Sequence, residues 1–395
     1  MFIVIVVGVL VSIMSASFLR LMFRDQEQAS KLDLSQSAYD SAQAGVEDAK
    51  RFLRIFRSAC GSSGTGSFEG VTYNCNAMRS AIQNESCYTL ATAGIGNANG
   101  ETIIQTNSGA GGASSRDADL NQAYTCVKIR MNTADFLGRT NDGAPSVISL
   151  KGTTTFNRVR IRWHSRENMT NGNNITLDSL SNPSARPNIN AQNWRNQNRP
   201  AILKAQFYGY IPGSGGSSSN MDTPYPDDGN GASEMLFYPT NSASALSSNV
   251  SNMPTVRRSE SSSQATTDYT FTKCSDRMDA NSNTYACETT VNIGRNVNPS
   301  DVLYLRLTPL MNDSNFKVEL LNGDTVVDFA GVQPTVDSTG SANTQLRRVE
   351  SRIGFNDTSF PVPLFSAQTE SDEEPICKEF SVTRLTNSNV NCSNQ

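Results

Sequence analysis

Apolar positions crowd the start of the chain and then thin into a stripe. No charge occurs before Arg20, and Phe2, Ile3, Val4, Ile5, Val6, Val7, Val9, Leu10, Val11, Ile13, Met14, Phe18 and Leu19 make this run apolar on every side. Roughly 19 residues of helix measure about 28 Å, close to the hydrocarbon core of a bilayer, so the run predicts a membrane-spanning helix. A signal peptide fits less well, because no basic residue precedes the apolar core. Next come Ala38, Ala42, Val46, Ala49, Leu53 and Phe56, spaced by three or four residues. That spacing draws one apolar face on a helix. Lys50, Arg51, Arg54 and Arg57 crowd its end, where cations suit the negative pole of the helix dipole, and Gly61 follows as a stop. No proline occurs before Pro145. One helix over residues 1–58 is therefore expected, about 87 Å long.

The period then changes. In YTCVKIRMNT, Val127, Ile129 and Met131 share a face; in FNRVRIRWHS, Val159, Ile161 and Trp163 do. PAILKAQFYGYIP, VLYLRLTPL and NFKVELLNGDTVVDFAGV continue the series. Period-two alternation between turn residues predicts a mainly antiparallel β head. Asn322-Gly323, between apolar runs, is a hairpin signal. The expected fold class is α+β: a long N-terminal helix, apolar first and amphipathic after, then a disulfide-containing β head. PGSGGSSSN, from Pro212 to Asn220, reads as a flexible linker or a long loop. It suggests a helix at 1–58, a head subdomain at 59–212, a linker at 213–222 and a second subdomain at 223–395.

Composition adds a compartment. Cys60, Cys75, Cys87, Cys126, Cys274, Cys287, Cys377 and Cys392 include no C-x-x-C pair, and His164 is the only histidine. Zinc needs closely grouped ligands, so disulfides made outside the cytoplasm are the better reading. CNAMRSAIQNESC, between Cys75 and Cys87, is a short helix candidate tied at both ends. Cys274 and Cys287 bracket a loop that they are placed to close. Spacing alone does not choose among the other pairings. The net charge of −4 argues against bulk attraction to nucleic acid.

The two-part helix resembles the N-terminal helix of type IV pilins and pseudopilins, in particular the PilX-like group. The resemblance rests on FIVIVVGVLVSIMSASFLR, then RDQEQASK, then AYDSAQAGVEDAKR, and covers about residues 1–57. It implies a non-enzymatic filament subunit with residues 1–19 in the filament core and the 38–56 stripe docked on the head. It also implies partners: other pilin subunits, the inner membrane before assembly, an assembly platform and a prepilin peptidase. Implied activities are pilus assembly, adhesion, twitching motility and contact with a host surface, glycan or DNA. In the family a C-terminal disulfide is common, which Cys377 and Cys392 resemble. The family carries a short basic leader ending in Gly, and none precedes Met1; the chain is read as the mature form or as one begun a few residues late. Most members have Glu at mature position five, where Ile5 stands here. Members that cap a filament lack it, so a minor, tip-located subunit is expected. The alternative is a membrane-anchored adhesin that never enters a filament.

Catalytic patterns are scarce. His164 would have to serve any Ser-His-acid triad, and no nucleophile elbow or phosphate-binding loop accompanies it. Asp33, Ser35 and Ser37 match D-x-S-x-S, an adhesion-type metal motif, but inside a predicted helix. Arg158, Arg160, Arg162, His164 and Arg166 share one parity and form a basic row on a strand, able to grip phosphates or acidic glycans unless neighbouring acids pair with it. Trp194 is a candidate for stacking on a sugar. DTPYPDDGNG and DANSNTYACE gather oxygen ligands that calcium favours, without completing its twelve-residue loop. No cofactor is therefore expected, calcium being the one left open.

Overall fold

The computed structural model describes residues 2–61, 63–97, 101–104, 122–170, 172–178, 191–211, 231–241, 250–253, 270–278 and 284–354. Contacts divide the chain into two compact units, one made of Met1–Met131 with Pro334–Gly354, the other running from Asn132 to Gln333.

The first unit is built on α1 (Phe2–Ala59), a single unbroken helix of 58 residues. Two short strands, β1 (Thr65–Phe68) and β2 (Val71–Asn74), form a hairpin turned by Glu69 and Gly70, both at positive φ. Then α2 (Cys75–Gln83) starts where the Asn74 side chain accepts from the Ala77 N–H at 3.0 Å. Beyond a 3₁₀ helix at Leu90–Ala93 lie β3 (Thr102–Ile103) and β4 (Ala123–Thr133). These complete a four-stranded sheet with two strands from far along the chain, β16 (Phe329–Ala342) and β17 (Gln345–Arg352), in the order β17-β16-β4-β3. The docked half of α1 lies on this sheet.

The second unit is a sandwich of two sheets. One holds β7 (Phe156–Ser165), β10 (Val250–Asn252), β12 (Tyr285–Val297), β14 (Ser314–Asn322) and β15 (Thr325–Val327) in the order β10-β12-β7-β14-β15, with β5 (Phe136–Thr140) also on β14. The other holds β6 (Ser146–Ser149), β8 (Ile202–Tyr210), β9 (Gly231–Thr240), β11 (Thr270–Lys273) and β13 (Val302–Leu310) in the order β11-β9-β8-β13-β6. Most pairs are antiparallel; β10 on β12 and β11 on β9 are parallel. Val159, Ile161 and Trp163 of β7 and Phe316, Val318 and Leu320 of β14 meet Leu203, Ala205 and Phe207 of β8 and Leu303, Leu305 and Leu307 of β13 in one core. These are the alternating apolar positions of each strand. The Asn322-Gly323 hairpin is present, with Gly323 at φ +60° between β14 and β15.

The expectation of an α+β chain needs correction. Strands make up 48% of the described residues, and among these residues the one long helix is the N-terminal one. What is described is mainly β with one long helix, because helical periodicity stops near Ala59 and the other described helices are of nine residues or fewer. The subdomain borders also fall elsewhere. Residues 213–222 lie outside the described residues, but their flanking strands β8 and β9 pair antiparallel, so the chain does not change unit there. It changes unit at Met131/Asn132 and Gln333/Pro334.

Candidate functional site

The two halves of α1 have different surroundings. Ala38, Ala42, Val46, Ala49 and Leu53 are buried on the sheet of their own unit, as the stripe predicts, while Phe56 is half-buried. Burial extends further round the helix, to Ser37, Ser41, Phe52 and Ile55. Two glycines let the backbones approach. A Cβ on Gly340 of β16 would overlap the Ala38 carbonyl and the Ala42 nitrogen, and one on Gly45 would overlap the Ser338 hydroxyl. Only glycine allows a helix and a strand to meet backbone to backbone in this way. Polar contacts fix the rotation of the helix: the Tyr124 hydroxyl donates to Asp48 Oδ2 at 2.7 Å, and Arg347 Nε donates to Ser35 Oγ at 2.7 Å. Burial, with the Asp48 carboxylate beside it, pushes the Tyr124 phenol up to about 12.

The described side chains of residues 2–36 bury almost nothing. Phe2 is 81% exposed, Ile3 77%, Met14 69% and Phe18 62%; Leu10, Ile13 and Leu19 are also exposed, as are Leu21, Met22, Phe23 and Leu32. The side chains of Val4, Ile5, Val6, Val7, Val9 and Val11 lie outside the described set. Among the described residues no helix is long and apolar enough to cross a membrane, so the expected membrane span is not found. What remains is an exposed apolar helix surface joined rigidly to a docked one. Asp33, Ser35 and Ser37 lie on this helix, away from any loop.

Among the described residues three disulfides are formed: Cys60–Cys75, Cys87–Cys126 and Cys274–Cys287. Both ends of the CNAMRSAIQNESC segment are tied as expected, but to Cys60 and Cys126. The first bridge holds the end of α1 to the start of α2, and the second holds the following loop to β4. Cys274 and Cys287 close their own loop. These bonds point to an extracellular location. Cys377 and Cys392 lie outside the described residues.

The basic row does not form a free cationic surface. Arg160 Nε donates to Glu319 Oε2 of β14 at 2.6 Å, and Arg162 reaches the same oxygen at 3.3 Å. Arg162 also pairs with Glu288 of β12, and Arg158 with Asp324 at 3.2 Å. Lys317 joins Asp135 at 2.8 Å and Glu319 at 3.1 Å. Four cations thus meet Glu288, Glu319, Asp324 and Asp135 on one sheet face. Burial alone would raise the Glu319 carboxyl, but hydrogen bonds from Arg160 and Lys317 and the charge of Arg162 hold it below its ordinary value. Arg166 lies past the strand, with Nη2 donating to Asn173 Oδ1 at 3.3 Å.

His164 leaves the row. Its φ of +64° breaks the strand alternation and sends the ring inward, where it is fully buried. Neither ring nitrogen has a hydrogen-bond partner of normal geometry. Burial drives its pKa down to about 4, with the Asn198 backbone opposing. Trp194 is buried too, on the short helix Ala191–Asn196. It donates from Nε1 to the Pro200 carbonyl at 2.9 Å, with Tyr238 edge-on and the Arg199 guanidinium over its ring at 5.0 Å. Arg199 is held by Asp178 at 2.8 Å, which also accepts from the Tyr238 hydroxyl at 2.6 Å. Sugar stacking at Trp194 is thereby corrected to a packing role. Among the described residues no His, Cys, Asp and Glu side chains gather in a group that could hold a metal. Most of DTPYPDDGNG and the first half of DANSNTYACE lie outside them.

These features define a mainly β protein with a long helix that is docked along one half and bare along the other. No family model matches the chain, and neither a curated protein nor a solved structure is found similar to it.

Proposed function

We propose that this chain is a non-enzymatic subunit of a type IV pilus or a related filament, of the PilX-like kind. One observation carries the reading: an unbroken helix is docked by Ala38, Ala42, Val46, Ala49 and Leu53 while the part before them presents exposed apolar side chains, Phe2, Ile3, Met14 and Phe18 among them. Exposed apolar surface of that extent calls for cover. In a filament the same half of neighbouring subunits supplies it, and helices packed lengthwise need a rigid rod rather than a hinged tail. Before assembly the cytoplasmic membrane holds the apolar half, and afterwards the protein is part of a cell-surface filament serving adhesion and twitching. The three disulfides suit that exterior location.

The test is Ile13→Asp together with Phe18→Asp in the full chain, followed by shearing and counting of filaments and a twitching assay. Neither residue touches the docked half, so the head keeps its disulfides. The expected result is loss of the subunit from sheared filaments. Undiminished incorporation would overturn the reading, and a wild-type chain that stays on cells and never enters filaments would favour the anchored adhesin.

A further inference from the structure

The crossings at Met131/Asn132 and Gln333/Pro334 fall on neighbouring strands, β4 and β16. Within the first unit, Thr125 Oγ1 donates to the Thr339 carbonyl at 3.3 Å, and Ser341 Oγ donates to the Ala123 carbonyl at 3.2 Å. A step of two forward on β4 answers a step of two back on β16, so these neighbouring strands run antiparallel. Carried along the strands, the same register sets Arg130 opposite Pro334, close to where the two segments of the first unit break off. Within the second unit the ends are tied as well. The Leu137 N–H donates to Gln333 Oε1 at 2.9 Å, and Gln333 Nε2 donates to the Leu137 carbonyl at 2.7 Å. Among the described residues, the main apolar core of the second unit runs from Phe136 to Phe329 and draws only on 132–333. An independent core with adjacent ends is what an inserted domain requires.

We propose that residues 132–333 are an inserted domain, replacing the turn of a β4–β16 hairpin, and that 1–131 with 334–354 form a complete scaffold without it. The scaffold has its own helix, sheet, hairpin and two disulfides, Cys60–Cys75 and Cys87–Cys126. The insert has the third, Cys274–Cys287. Resting on the filament reading above, assembly belongs to the scaffold and contact with outside partners to the insert.

The chain carries its own reporters. Both tryptophans, Trp163 and Trp194, lie in the insert, whereas the long helix lies in the scaffold. In denaturant unfolding of the full chain, tryptophan fluorescence follows the insert and helical circular dichroism follows the scaffold. The expected result is two separate midpoints. Phe207→Ala, in the core of the insert, lowers the fluorescence midpoint and leaves the helical one in place. Gly340→Val, on the seat of α1, does the reverse. A common midpoint moved by either variant overturns the insertion. A second chain, with 132–333 replaced by an Asn-Gly turn, keeps its helical signal and enters filaments like the full chain, but loses surface attachment. Loss of the helical signal in that chain would again overturn the insertion. A full chain that never enters filaments removes the assignment of assembly to the scaffold, while separate midpoints still establish the inserted domain.

Discussion

The stripe on α1 and the arginine row on β7 are both periodic patterns, and they met opposite fates. The stripe became a buried face; the row became a set of paired charges. An apolar face needs only something apolar to cover it, and any sheet of the same chain will do. A charged row is defined by what stands beside it. Glu288 and Glu319 arrive on neighbouring strands and Asp324 on the β14–β15 turn, 126 to 166 residues later. Hydrophobic periodicity therefore reports burial directly, while charge periodicity reports only which side faces water.

The same contrast explains what could be read in advance. The 58-residue helix, the alternating strands, the Asn322-Gly323 hairpin and the Cys274–Cys287 closure are local patterns within a few turns or strands. Phe52 and Ile55 were missed because spacing by threes and fours describes one narrow face, whereas burial wraps round to adjacent positions. Gly45 and Gly340 carry no signal in one dimension; their role appears only when a helix and a strand some 300 residues apart in sequence touch. The border between units was misplaced for a related reason. A Gly/Ser run is conspicuous, but here it falls between two paired strands of one sheet, while the crossings at Met131/Asn132 and Gln333/Pro334 lie inside the continuous strands β4 and β16. His164 was put in the row by parity, which a single positive φ defeats.

The comparison breaks most sharply at the docked face. Phe52 is fully buried, with its ring stacked 6.2 Å from that of Phe56. Phe52→Ala should cost about 3–5 kcal/mol, the usual range for emptying a buried phenylalanine site. Denaturant unfolding followed by helical circular dichroism reads it directly. A loss under about 1 kcal/mol would mean that α1 is not seated as described.

The next largest effect is at the inward turn of the row, and it depends on pH. The folded pKa of His164 is depressed to about 4 from 6.5. Above pH 6.5 the ring is neutral folded and unfolded, and contributes no pH dependence. As pH falls below that value the unfolded chain takes up a proton that the folded chain refuses, so stability is lost down to about 4. At roughly 1.4 kcal/mol per pKa unit, the loss amounts to about 3 kcal/mol. His164→Asn keeps a residue that tolerates positive φ and removes the titration. Its unfolding free energy should stay nearly flat between pH 6.5 and 4, the window in which the parent declines. Equal declines in both would place the sensitivity in other groups.

The smallest effects separate the middle of the row from its end. Glu319 is 9% exposed and serves Arg160, Arg162 and Lys317 at once. Glu319→Gln leaves three partly buried cations without their shared acceptor, at a cost of about 2 kcal/mol at neutral pH. Because its folded pKa lies below the ordinary 4.5, that stabilisation is present above this value and disappears as pH falls through the folded one. Variant and parent should therefore converge once the pH falls below the folded value, a difference that urea midpoints at neutral pH and in acid would show. Arg158 pairs instead with an Asp324 that is entirely open to solvent. Arg158→Ala should cost less than about 1 kcal/mol and nothing measurable in high salt. A large, salt-resistant cost at Arg158 would mean that the end of the row, unlike its middle, is engaged by something beyond the acids of its own sheet.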